Sequence, residues 1–110
     1  MVALMSQFKK NLESLPGIDG IERLELVEGN KPEPVAVIEN KPGKSGSVAV
    51  YNFLKSEYDQ LNYESAKIGL ELFAEHVISA AENPGAHPNI DFLFDVIEND
   101  RILTINIIKG

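Results

Sequence analysis

The C-terminal tail constrains the fold more than any other stretch, because two apolar-rich runs flank an Asn-Asp turn dipeptide at residues 99–100. If this dipeptide is a two-residue hairpin loop, residues 92–98 pair with residues 101–107 in an antiparallel register. That register sets apolar side chains opposite one another on one face, as in the pair Val96 and Leu103, and leaves the other face mostly polar. The tail therefore predicts a β-hairpin.

A second interpretation of the tail remains open, since residues 89–97 also fit a helix. Phe92, Leu93, Val96 and Ile97 recur at helical spacing as well as in the strand pattern. We prefer the hairpin because a single register accounts for both faces, and the choice between strand and helix stays open at this stage.

The N-terminal third of the chain predicts one helix and two strands. Ser6 caps a short amphipathic helix that Pro16-Gly17 ends, and residues 1–5 before it are predicted to be a disordered extension. The run "IERLELVE", residues 21–28, alternates apolar and charged side chains as a half-buried strand does. After a loop with two prolines, "VAVIE", residues 35–39, predicts a second strand.

The middle of the chain predicts two helices. From Ser47 onward the pattern fits a helix or a strand, and we prefer a helix capped by Ser47. Asn62 then caps the longest element, residues 63–82, which residues 83–85, Asn-Pro-Gly, end. The apolar side chains of that element fall within one stripe: Ala66, Leu70, Phe73, Val77 and Ala81.

Together these elements predict an α+β fold. We expect an antiparallel sheet of about four strands with two or three helices packed on one face. At 110 residues the chain has the size of one compact domain, residues 1–110.

Composition excludes several classes of protein. Ten basic and seventeen acidic residues give a net charge of -7, which repels phosphate backbones and argues against nucleic-acid binding. The chain has no cysteine, which excludes disulfides, thiolate metal sites and cysteine nucleophiles. No segment has the length and apolar character of a membrane span or an export signal. We expect a cytoplasmic protein without membrane contact.

The segment "NKPGKSGSVAVY", residues 40–51, contains the Gly-Lys-Ser tail of a nucleotide-binding P-loop. A P-loop needs a further glycine where this chain has Ile38, so the motif fails at a residue on which its geometry depends. A loop that binds a single anion remains possible, beside the simpler interpretation of a connecting loop. The candidate anion-binding residues are Lys41, Gly43, Lys44, Gly46 and Ser47.

A second group of polar residues contains both histidines of the chain. Its spacing matches no established metal motif, so neither a metal nor a cofactor is predicted. The alternatives are metal or acid–base chemistry, or a histidine that flanks the helix and bonds to a loop. The candidates of this polar cluster are Glu75, His76, His87, Asn89 and Asp91.

The predicted helix over residues 63–82 is apolar on two sides. Ile68 and Leu72 lie nearly opposite the main stripe, so they are either buried within the domain or contact a partner. The second alternative predicts a homodimer or another protein partner at these two residues.

Two segments carry a resemblance to a known family: "GKSGSVAVYNFL", residues 43–54, and "GLELFAEHVISAAENPGAHPNID", residues 69–91. They resemble a family of small bacterial proteins known only as a domain of unknown function. The resemblance implies a stand-alone bacterial cytosolic protein, and it assigns no activity, cofactor or catalytic residue.

The sequence therefore favours a non-catalytic binding or protein–protein interaction module over an enzyme. The alternative is a protein that binds a small molecule, anion or metal, or an enzyme, with a site that joins the 41–47 loop to His76, His87 and Asp91. Whether Lys44 and the two histidines converge on one pocket distinguishes the two hypotheses.

Overall fold

The fold is α+β and is built around a four-stranded antiparallel sheet, as expected. The structure, a computed structural model, describes residues 7–110. The predicted disorder of residues 1–5 and the predicted cap at Ser6 lie outside the described residues. The elements, in chain order, are α1 (Gln7–Glu13), β1 (Ile21–Glu28), β2 (Ala36–Glu39), α2 (Ser45–Tyr58), β3 (Gln60–Leu61), α3 (Tyr63–Phe73), α4 (Glu75–Glu82), α5 (Pro88–Asn99) and β4 (Leu103–Lys109).

The sheet has the order β2-β1-β4-β3. β1 occupies a central position because its alternating pattern buries Leu24 and Leu26 on one face, where they pair with Ile107 and Ile105 of β4. The helical layer covers this apolar face, and α2 packs across all four strands. The opposite face carries polar groups such as Arg23, whose Nε donates to Glu25 at 2.9 Å. The core therefore lies between one sheet face and the helices.

The predicted C-terminal hairpin is wrong, and the helical alternative for this segment is confirmed. Pro88 opens α5 at a position where a missing N–H costs nothing, and Asp100 ends the helix in a left-handed conformation with φ 49°. α5 buries Ile90, Leu93 and Val96, three residues apart, whereas the hairpin register assigned Leu93 to the polar face. β4 pairs with β1 instead, and the fourth strand is β3.

The predicted single helix over residues 63–82 is also wrong, because the chain breaks at Ala74. Ala74 has φ 53° and ψ -120°, which ends α3 and starts α4 in a new direction. Neither glycine nor proline stands at this position, so the local sequence carries no sign of the break. With α1 and α5, residues 7–110 contain five helices rather than the expected two or three.

The two predicted caps have different outcomes. The prediction for Asn62 is confirmed: its Oδ1 accepts from the Ser65 amide at 3.0 Å, and the Ser65 hydroxyl accepts from the Asn62 amide at 2.9 Å. The prediction for Ser47 is wrong, because α2 already begins at Ser45 and Lys44 is its N-cap. The helix predicted from Ser47 onward is otherwise confirmed, and it begins two residues earlier than predicted, directly after Lys44.

α1 is a short helix that lies on the outside of the helical layer, where it contacts α2, α3 and α4. The Phe8 ring stacks on Phe73 with 5.5 Å between centroids. The Asn11 side chain donates to the Leu72 carbonyl at 3.0 Å. These contacts with α3 hold α1 in place, and a cleft lies between α1 and the start of α2.

No helix within residues 7–110 has the length and apolar character needed to cross a membrane.

Candidate functional site

A cleft of about 560 Å³ lies where α1, the start of α2, the α3–α4 junction and the start of α5 meet. It joins the two segments that the sequence marks as chemical candidates, since Lys44, His76 and His87 all line it. Its walls are formed by Phe8, Leu12, Val37, Gly43, Lys44, Ser45, Gly46, Ser47, Phe73, His76, Ala86, His87, Pro88, Asn89 and Ile90.

The start of α2 forms one wall of the cleft. Gly43 has φ 86°, a conformation that favours glycine, and it turns the chain from β2 into the helix. The amides of a first helical turn have no carbonyl partner within the helix and carry the positive end of the helix dipole. In α2 these amides belong to Ser45, Gly46 and Ser47, and all three residues line the cleft. This wall therefore presents hydrogen-bond donors and positive charge.

The two lysines of the loop differ in their surroundings. Lys41 does not line the cleft, and its Nζ lies 3.0 Å from Glu39 Oε2. This hydrogen bond, with a smaller contribution from the charge of Lys44, lowers the pKa of the Glu39 carboxyl below 4.5. Lys44 lines the cleft, and within residues 7–110 no carboxylate lies within 4.0 Å of its ammonium group. Lys44 is thus the lysine that is available to a ligand.

The two histidines line another part of the cleft. Their ring centroids are 5.8 Å apart. The His76 ring also makes a T-shaped contact with the Phe8 ring, with 4.8 Å between the two centroids. His87 Nε2 and Ser79 Oγ form a hydrogen bond of 3.1 Å. This bond occupies one nitrogen of His87 and leaves Nδ1 as the second polar atom of the ring.

Asn89 lines the cleft beside His87 at the first turn of α5. The hydroxyl of Tyr51 donates to the Asn89 carbonyl at 2.7 Å. Tyr51 is fully buried, and burial raises the pKa of its hydroxyl well above the ordinary value of 10.0, so this group stays a neutral donor. The bond links α2 to the start of α5 and fixes two walls of the cleft relative to one another.

The carboxylates of the predicted polar cluster lie elsewhere. Glu75 Oε1 accepts from the Phe8 amide at 3.0 Å, which fastens α1 to the start of α4. Asp91 Oδ2 accepts from the Gly85 amide at 2.9 Å and lines a separate groove of about 370 Å³ between α4 and α5. Glu75 and Asp91 therefore stabilise the walls of the cleft from outside it.

Among the described residues, no aspartate or glutamate lines the cleft. This is notable in a chain with seventeen acidic residues, because the cleft holds Lys44 and both histidines of the protein. Within residues 7–110 there is also no group of three or more histidine, aspartate or glutamate side chains arranged to hold a metal ion. The described lining of the cleft thus has one lysine and no carboxylate, on a protein whose net charge is -7.

The apolar side of the cleft was not predicted from the sequence. It consists mainly of Phe8, Leu12, Phe73 and Ile90. In the sequence, Phe8, Leu12 and Phe73 recur at the apolar spacing of their helices, but such a stripe does not reveal which other helix it faces. Gly46 is the one local sign of the contact: a Cβ on it would lie 2.9 Å from Phe8 Cζ, so glycine permits the close approach of α1.

The predicted interface residues Ile68 and Leu72 are half-buried and pack against the core. α1 lies against α3 and bonds to the carbonyl of Leu72. Both observations favour the alternative in which these side chains are covered within the domain. The homodimer at Ile68 and Leu72 stays a prediction.

The comparisons with known proteins give a family but no function. No curated protein and no solved structure matches the chain. A family described as "Uncharacterized protein conserved in bacteria (DUF2322)" matches residues 8–107, which include every residue that lines the cleft. The chain therefore belongs to this family of uncharacterized bacterial proteins, as its resemblance implied.

Proposed function

We propose that this protein is a non-catalytic binding protein that holds a small anionic ligand in the cleft between α1, α2 and α5. The observation that carries the proposal is the charge of the lining: one lysine, with no carboxylate among the described residues, and two histidines beside it that can hydrogen-bond a ligand. In so acidic a chain, a cleft of random composition would include acidic side chains. The segregation of charge favours an anion.

The ammonium group of Lys44 is the main source of attraction in this proposal. A hydrogen bond to a charged group contributes about 1.5–3 kcal/mol, and solvent exposure reduces that amount. The free amides of the first turn of α2 supply further donors, since a helix N-terminus favours negative charge. The histidines and the side chain of Asn89 complete the set of polar groups around the ligand.

A role in protein–protein interaction has less support. It rested on Ile68 and Leu72 as an exposed apolar surface, and both side chains pack against the core instead. An enzymatic role that uses Glu75 or Asp91 beside the histidines has less support as well, because both carboxylates bond to backbone amides outside the cleft. Ligand binding without chemistry is the function that these contacts favour.

Isothermal titration calorimetry with inorganic phosphate tests the proposal. We expect Lys44→Ala to weaken phosphate binding about tenfold, equivalent to about 1.4 kcal/mol. Lys41→Ala is the matched control. It removes the same charge from the same loop, but the ammonium group of Lys41 is paired with Glu39 and is not expected to contact the ligand. Absence of binding to the unmodified protein, or equal weakening by the two substitutions, would contradict the proposal.

A further inference from the structure

The size of the cleft exceeds what a single inorganic anion needs. A volume of about 560 Å³ falls within the range of about 300–1,000 Å³ that holds drug-sized organic molecules. A phosphate ion bound at Lys44 would leave most of this space unfilled by the ligand. The residues that line the rest of the cleft therefore indicate the chemistry of the remaining part of the ligand.

The remaining wall of the cleft is apolar and aromatic. Phe8 stacks on Phe73 at an interplanar angle of 18°, and the edge contact with His76 extends this aromatic surface. Leu12 and Ile90 also line the cleft. Apolar and aromatic walls of this kind bury flat apolar groups and order them at low entropic cost. The donors of Lys44 and the first turn of α2 lie next to this surface, since Phe8 and Leu12 pack against Gly46.

Building on the proposed anion binding, on which this step rests, we infer that the ligand is an organic phosphate monoester with an apolar ring. Its phosphate group lies at Lys44 and the α2 amides, and its ring lies beside them against Phe8 and Leu12. A phosphate monoester presents three strong acceptor oxygens, which match several donors at once, whereas a carboxylate presents two.

A ligand series measured by calorimetry on the unmodified protein tests this assignment. The probes are inorganic phosphate, phenyl phosphate, benzoate and phenol. We expect phenyl phosphate to bind at least tenfold more tightly than each of the other three, because only it combines both features. Phosphate binding with no gain from the phenyl group would overturn the assigned ring and leave the proposed anion binding intact. Benzoate binding as tight as that of phenyl phosphate would overturn the assigned phosphate.

A pair of leucine substitutions locates the ring within the cleft. Leu12→Ala should weaken phenyl phosphate binding several-fold and leave inorganic phosphate binding unchanged. Leu15→Ala is the matched control, since Leu15 is half-buried beside the same helix but does not line the cleft. Equal effects of the two substitutions on phenyl phosphate would contradict the assignment. Circular dichroism checks that both variants fold, and the ligand series on the unmodified protein decides the question if either does not. If neither phosphate compound binds, the proposed function fails together with its extension.

Discussion

Replacing Ala74 with glycine tests the break that separates α3 from α4. Ala74 has φ 53° and ψ -120°, a backbone conformation that L side chains disfavour and glycine adopts readily. His76, just after the break, lines the cleft, and Phe73, just before it, packs in the core and also borders the cleft. The chain therefore retains a strained residue at the edge of the candidate site.

The expected effect follows from three opposing contributions. Backbone strain of this kind costs about 1–3 kcal/mol, and glycine removes it. Against this, glycine loses about 0.5–1 kcal/mol more conformational entropy on folding than alanine. Removal of the half-buried methyl group of Ala74 forfeits part of the roughly 0.8 kcal/mol that a fully buried one contributes. We expect Ala74→Gly to raise the free energy of unfolding by about 1 kcal/mol.

Thermal unfolding followed by circular dichroism measures this change. A gain of about 1 kcal/mol raises Tm by roughly 4 °C in a domain of this size. Ala80→Gly is the matched control, because Ala80 lies inside α4 and is only 1% exposed. There the same substitution should lower stability by about 2 kcal/mol through lost helix propensity and a lost buried methyl. A Tm for Ala74→Gly that falls as far as that of Ala80→Gly would refute the strain at Ala74.

Two further predictions concern the ion pairs and the oligomeric state. The hydrogen bond from Arg101 lowers the pKa of the Glu28 carboxyl below 4.5, so the stability that it contributes is present above pH 4.5 and is lost as the pH falls through the lowered pKa. Urea unfolding should therefore show Glu28→Gln to be less stable than the unmodified protein at pH 7 and equal to it well below pH 4; an equal deficit at both pH values would contradict this. The homodimer alternative at Ile68 and Leu72 requires a light-scattering mass of twice the 12.1 kDa of the chain, which Ile68→Glu or Leu72→Glu should halve. Because both side chains pack against the core, we expect a monomer instead; a dimer that these substitutions dissociate would contradict this, and a monomer at high concentration would remove the dimer.

Local signals in the sequence predicted much of the fold. The alternation in residues 21–28 predicted β1, and the Asn62 cap followed from an ordinary N-cap preference. The prediction of a C-terminal hairpin was wrong because residues 92–97 fit the period of a strand and that of a helix equally well. The contact that decides between them is not local, since β4 pairs with β1, about 80 residues earlier in the chain. The prediction of a single helix over residues 63–82 was wrong for another reason: tertiary packing imposes the backbone conformation of Ala74, and no glycine or proline marks the break.

The candidate site was predictable in its polar half only. Lys44, His76 and His87 were chosen for their chemistry, and the fold brings all three to one cleft. Phe8 could not be chosen in this way, because its place depends on how α1 packs against α2 and α3. Asp91 was also chosen for its chemistry, but its carboxylate lies outside the cleft. There it accepts a hydrogen bond from the Gly85 amide and stabilises the loop before α5.

The most direct test of the anion-binding cleft is an NMR titration of the 15N-labelled protein with inorganic phosphate. The account predicts saturable shifts in the amide signals of Ser45, Gly46 and Ser47, which form the first turn of α2. Signals of Thr104 and Asn106, exposed on β4 outside the cleft, should stay in place. Lys44→Ala should weaken the response of the first three without moving the last two. Phosphate that leaves the α2 amides unshifted, or that shifts the β4 amides equally, would contradict the account.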